Sequence, residues 1–337
     1  MIKEVMQKLP NFFVKVIAVV FFILMGLNTL LVLTKTAIFP KDYQETLFYE
    51  NDNAILNIIF LIIFSIVILI LARYFKKIIS IKRLVLIVMI YSFIISILFA
   101  ILRRDYVQFD PFNVIDQANN FIRGNYSGLE KGNNYLYIYS HQITTVFIFQ
   151  IILSLFGRAT FILYIMQSFS ISFIIFMLYK ISNILFEDED TNYLVVILSA
   201  LCFPLVFYVA FVYGILPGMF LTLVAYYYFI KYTKQKEWYL LVVSAISINI
   251  AILFIGNNMI HMIAIFTAAV IYFIRKKDKK ILAFILSCLF LMTTSKSIIY
   301  NYYEVTSQKE IAPGVPKITW IAMGMQEGDR EAGWWNR

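Results

Sequence analysis

Apolar residues in this chain do not alternate with polar ones. They come in long runs separated by short charged joints. Residues 16–34, 54–72, 84–102, 159–179, 194–211, 215–230, 239–255, 259–274 and 281–295 contain no Asp, Glu, Lys or Arg. At about 1.5 Å per helical residue, most of these match a hydrocarbon layer about 30 Å thick. Lipid offers the backbone no hydrogen-bond partner, so each run must satisfy its own amides as an α-helix. The pattern predicts an all-α, polytopic membrane protein with about nine or ten transmembrane helices.

Charge orients the runs. Arg73, Lys76, Lys77, Lys82 and Arg83 form one basic cluster, Lys231, Lys234 and Lys236 a second, and Arg275, Lys276, Lys277, Lys279 and Lys280 a third. Lys and Arg in short loops mark the cytoplasmic side. With Lys3, Lys8 and Lys15 also inside, the first span exits near Thr34, the second returns at Arg73 and the third exits at Arg103. Residues 104–142 then lie outside, and only an odd number of crossings can bring the chain back inside at Lys231. Four apolar segments intervene, and 143–157 (ITTVFIFQIILSLFG) is the short one. Its helical length of about 22 Å falls short of the hydrocarbon core, so it is predicted to enter and leave on one side or to lie at the interface.

Composition agrees with a membrane setting and narrows the partners. The 337 residues are 61% hydrophobic and only 15% charged, against about a quarter charged in soluble domains. The net charge of +9 resides in the joints between spans, with no aromatic platform, so no nucleic acid is expected. Cys202 and Cys288 lie inside apolar runs and read as neither disulfide nor metal ligands. The N-terminus has a basic start but no small-residue cleavage site, which reads as a retained first span. The acidic run Glu187–Asp190 reads as a solvated cytoplasmic loop. Asn257, Asn258 and His261, in an apolar stretch, read as pairing between helices. Pro204, Gly214 and Pro217 flank an expected external turn.

Candidate chemistry gathers in 104–142. Asp105, Asp110 and Asp116 fall within twelve residues, followed by Arg123 and then His141-Gln142. An aspartate held above the bilayer can accept a proton from an acceptor hydroxyl. A nearby Arg or charged His can stabilise a departing phosphate. Arg158, after the short segment, can meet a lipid phosphate if that segment stays outside. A second external segment, 296–337, carries Trp320, Trp334 and Trp335 as candidates for contacting sugar or lipid. The residues leave a divalent metal open.

The order D-P-F-N-V-I-D-Q-A-N-N-F-I-R-G-N-Y, then Y-L-Y-I-Y-S-H-Q, then L-F-G-R, resembles the GT-C superfamily of polytopic glycosyltransferases. The likeness is greatest to its bacterial branch of family-39-like, or dolichyl-phosphate-mannose-type, transferases. The resemblance implies an external loop bearing amphipathic helices. Asp110 matches the family aspartate best, Asp116 second and Asp105 third; His141 and Gln142 match the corner that closes the loop, with Ser140 where the family has proline. The segment P-K-I-T-W-I-A-M-G-M-Q-E-G-D-R-E-A-G-W-W-N-R resembles a later external segment of these relatives through Pro316, Trp320, Met323, Gly324, Gly333 and Asn336.

The resemblance implies a plasma-membrane, multi-pass enzyme, active on its extracytoplasmic side. It would move a sugar, with inversion, from a polyprenyl-phosphate donor to a glycan, lipid or protein acceptor. Asp110 or Asp116 would act as base, and Asp105, Arg123, His141, Gln142, Arg158 and Trp320 would bind substrate. The expected organisation is a two-span N-terminal addition (1–83), a transferase-like core (84–299) and an external segment (300–337). Relatives continue with further spans, so the ending reads as a truncation that could leave the transferase inactive. The competing readings are a polymerase and a flippase or transporter of lipid-linked glycans. A polymerase would use more arginines than Arg104 and Arg123, and an ion-coupled transporter would keep ionisable groups in mid-span.

Overall fold

The computed structural model describes residues 2–38, 48–103, 107–132, 134–316 and 318–325. In chain order the elements are α1 (Ile2–Thr34), β1 (Lys35–Ile38), β2 (Phe48–Asn51), α2 (Ala54–Ile78), α3 (Ile81–Leu102), α4 (Phe109–Ile122), α5 (Tyr135–Ile138), α6 (Ile143–Phe156), α7 (Thr160–Phe186), α8 (Glu189–Ala200), α9 (Phe203–Phe207), α10 (Ile215–Gln235), α11 (Trp238–Phe254), α12 (Met259–Lys276), α13 (Lys280–Ser307) and α14 (Ile318–Met325). Among the described residues seven helices are long and apolar enough to cross a membrane, and an eighth span is formed if the bent pair Glu189–Ala200 and Phe203–Ala210 counts as one. The protein is a multi-pass α-helical membrane protein.

The chain divides into two compact units, residues 1–67 with 315–337, and residues 68–314. In the first, β1 and β2 form an antiparallel pair with Lys35 opposite Asn51, a small ribbon that the apolar pattern did not predict. Asp52 anchors it by accepting from Thr36 Oγ1 at 2.6 Å and from Asn57 Nδ2 at 2.9 Å. The flanking α1 exposes apolar side chains on every side, Phe22 at 71% and Val32 at 73% among them. A helix apolar all round has lipid, not water, as its solvent.

The second unit is a helical bundle with two chemically different ends. At one end Lys76 meets Asp190 at 2.6 Å, Lys234 pairs with Glu187, and Tyr232 donates to Asp278 at 2.6 Å. The acidic run is thus built into the frame of this basic end, with Asp188 capping α8 through Thr191 N at 2.8 Å. From here α3, α7, α8 with α9, α10, α11, α12 and α13 run towards the other end or return from it. α11, with 17 residues, is shorter than the seven span-length helices but runs between the same two ends. α8 and α9 meet at a 48° bend just ahead of Pro204, where proline would otherwise remove a helical hydrogen bond. Pro217 sits harmlessly in the first turn of α10.

α6 does not cross. Near its start Thr145 donates to the carbonyl of Phe254, at the far end of α11, at 2.7 Å. Just after it, Leu163 in the first turn of α7 joins the same buried cluster as Val212 and Phe254. Both termini of α6 therefore lie at the end opposite the basic one, and α6 packs against α4 there, so the odd number of crossings is kept. Inside the bundle, polar side chains bond across helices: Gln167 donates to Phe211 O at 2.8 Å and Ser172 to Met89 O at 2.9 Å. Asn258 bonds Ala251 O at 2.7 Å and His261 meets Tyr226 OH at 2.8 Å, in line with the helix-pairing reading of that stretch.

Candidate active site

The end opposite the basic one is a layer made of α4, α5, α6 and the far ends of α10, α11 and α13. α4 is amphipathic: Pro111, Val114, Ile115, Ala118 and Phe121 are buried on one side. Phe121 and Leu136 then join Val146, Phe149, Ile299 and Tyr303 in one apolar cluster. This packing holds the first turn of α4 at the surface, and Asp110 stands on it, exposed. The helix dipole favours a carboxylate at that position. Phe109, immediately before, holds φ at 57°, a left-handed conformation that a bulky aromatic residue rarely adopts.

Asp110 is approached by a neutral donor. Tyr213 OH donates to its Oδ2 at 3.2 Å. Tyr213 is itself a hub, accepting from Gln142 Nε2 and lying 3.3 Å from Tyr135 OH. Gln142 Nε2 is also 3.2 Å from His141 Nε2, and Thr145 donates to Gln142 Oε1 at 3.3 Å. One chain of side chains thus links Asp110, Tyr213, Gln142 and His141. Burial, reinforced by the Asp110 charge, pushes the phenols of Tyr135 and Tyr213 well above the ordinary tyrosine value, so both stay protonated donors. Burial, helped by the charge of Lys296, lowers His141, while Asp110 opposes this. His141 is therefore a neutral imidazole at pH 7.

The turn carrying Tyr213 exists because of Gly214. Its φ is 82°, and a Cβ there would stand 2.5 Å from the carbonyl oxygen of Phe254. A second close approach fixes the His141 corner. Tyr300 OH donates to Ser140 O at 2.9 Å, and a Cβ on Gly314 would meet Ser140 Oγ at 2.7 Å. Small Ser140 thus fits beneath the returning chain where the resembled family has proline. That chain, beyond α13, is tied down by Lys309, whose ammonium meets Glu130 at 2.6 Å. The beginning of the second external segment therefore packs on the first.

The predicted residues separate. Asp110, His141 and Gln142 are brought together. Asp116 lies on another face of α4 and accepts from its own helix, from Asn120 Nδ2 at 2.9 Å. Arg123 is exposed at the far end of α4, and Arg158 is exposed between α6 and α7, at the same end of the bundle but outside the hydrogen-bonded chain. Asp105 lies outside the described residues, as do Trp334 and Trp335. Trp320 is on α14, in the other compact unit. Among the described residues, no three His, Cys, Asp or Glu side chains converge as a metal set.

Two participants escaped sequence reading. Tyr213 looked like one aromatic residue among many in a turn. Lys296 stands just past the apolar run that ends at 295, yet α13 continues to Ser307 and carries Lys296 to the His141 corner. Its ammonium lies 5.0 Å from the centre of the Tyr300 ring. The signal that could have found it is helical spacing, since Lys296, Tyr300 and Tyr303 recur at four and three residues.

No family model, curated protein or solved structure matches this chain. The site's meaning rests on its chemistry.

Proposed function

We propose that this protein is a membrane glycosyltransferase that moves a sugar from a polyprenyl-phosphate donor to a hydroxyl-bearing acceptor on the outer face of the plasma membrane. The observation that carries this reading is the exposed Asp110 carboxylate, bonded by the Tyr213 phenol and by no cation among the described residues. A carboxylate tied up by lysine is a poor base; one oriented by a neutral donor keeps its charge available. The acceptor oxygen attacks the anomeric carbon as its proton passes to Asp110. The bond from that carbon to the phosphate oxygen breaks, and the electron pair leaves with the lipid phosphate. Lys296 supplies a positive charge for that phosphate, and neutral His141 supplies a hydrogen bond. The acceptor is a glycan, a lipid or a protein.

The resemblance of the 104–142 loop to GT-C enzymes supports the same reading. So do the three basic clusters, which by the positive-inside rule leave the Asp110 end extracytoplasmic. A polar strip on α13, formed by Thr293, Ser297 and Asn301, borders a recess of about 290 Å³ along that helix and offers a path for a headgroup from the bilayer.

The test is sugar transfer from radiolabelled polyprenyl-phosphate sugar in membranes, native chain against Asp110→Asn. Transfer is expected to fall by about 10²–10⁴-fold, the usual contribution of a general base, with unchanged membrane insertion. Equal transfer by the two chains would remove Asp110 from the mechanism.

A further inference from the structure

At the basic end, α7 and α10 enclose a recess of about 310 Å³ lined by Lys180, Asn183, Glu187, Tyr227, Lys231 and Lys234. Its charges do not balance. Lys234 is taken up by Glu187 and by the carbonyl of Ile184 at 2.6 Å. Lys180 and Lys231 have no carboxylate partner among the described residues. Their ammonium groups instead lie 5.6 and 5.9 Å from the centre of one ring, that of Tyr227. Lys180 also lies 5.8 Å from the Phe176 ring. Two like charges gathered at one ring repel each other, and an anion beside both offsets that repulsion.

Depth indicates what kind of anion. Lys180 is six residues before the end of α7 at Phe186, and Lys231 four before the end of α10 at Gln235. Along a helix axis these are setbacks of about 9 and 6 Å. The headgroup layer on each side of the hydrocarbon is about 5–8 Å thick. Both ammonium groups therefore rise from lipid-covered helix to the level of lipid phosphates, as long cationic side chains do. Phe173, two turns to the hydrocarbon side of Lys180 on α7, is 40% exposed and offers an apolar surface for acyl chains. Basic recesses between spans hold anionic headgroups by this combination.

We infer that this recess binds the headgroup of an anionic phospholipid, with Lys180 and Lys231 neutralising its phosphate and Tyr227 holding the two ammonium groups in place. Glu187, the one carboxylate in the recess, opposes binding.

The test is retention of phosphatidylglycerol against phosphatidylcholine by the full chain in detergent, read by native mass spectrometry. Phosphatidylglycerol is expected to be held about tenfold more strongly, the preference to vanish in Lys180→Gln/Lys231→Gln, and to return in Lys180→Arg/Lys231→Arg. Glu187→Gln, a change at a solvent-facing side chain, is expected to tighten retention, so the inference stays testable even if the lysine pair is needed for folding. Equal retention of both lipids, an unaffected glutamine pair, an unchanged Glu187→Gln, or displacement of the lipid by inorganic phosphate would each overturn it.

Discussion

The two ends of the 68–314 bundle treat their carboxylates differently. At the basic end, Glu187 and Asp190 are each met by a lysine ammonium, and Asp188 caps a helix. At the opposite end, Asp110 is met by a phenol that is itself held by a buried amide. Paired acids are spent on structure, and at the surface such pairs stabilise little because water screens them. A carboxylate held by neutral groups keeps its charge and gains a fixed direction. The same residue type serves as a frame at one end and, in the proposed mechanism, as the base at the other.

Substitutions at the two ends sharpen the contrast. The loss of transfer in Asp110→Asn is the largest expected effect. Next comes Tyr213→Phe, which leaves the carboxylate in place but removes the hydroxyl that links Asp110 to Gln142 and Tyr135. One lost hydrogen bond of about 1–1.5 kcal/mol predicts a fall of about tenfold, in kcat more than in KM, because in the proposed mechanism the hydroxyl orients the base. A Tyr213→Phe variant with native kcat would mean that the proposed role of Asp110 needs no orienting partner.

A smaller effect concerns His141, whose folded pKa lies below its ordinary 6.5. The unfolded chain then binds more protons between the two values, so stability rises with pH across that window. Thermal unfolding in detergent should show Tm constant above about pH 6.5 and falling as acid carries the solution below it. His141→Gln should flatten the profile; an identical slope would show that another group titrates. Smallest of all is Lys76→Gln at the basic end. It breaks an exposed pair with Asp190 and should leave both transfer and Tm at native values within measurement error. A clear loss of transfer there would erase the proposed division between the ends.

Much of this was legible in residue order alone. The crossings follow from apolar runs, because a backbone in lipid has no other way to satisfy its amides. The spacing of the basic clusters asks for an odd number of crossings there, and both ends of α6 lying at one end of the bundle fits that count. Asp110, His141 and Gln142 could be singled out because polar residues concentrate in one loop between apolar runs. Their grouping could not. Asp116 and Asp110 look alike in sequence, and only the phase of α4 sends one to Tyr213 and the other to Asn120.

What the sequence by itself determined is thus the solvent: which stretches face lipid, how they must fold there, and which end carries the positive charge. Tertiary structure alone decided which polar groups meet. Tyr213 comes to Asp110 from 103 positions away, and Ser140 is bonded by Tyr300 across 160. Hydrophobic burial is read locally, residue by residue, because transfer into lipid depends on each side chain's own surface. A hydrogen bond needs two groups within about 3 Å, and that condition exists only after helices distant in sequence have packed.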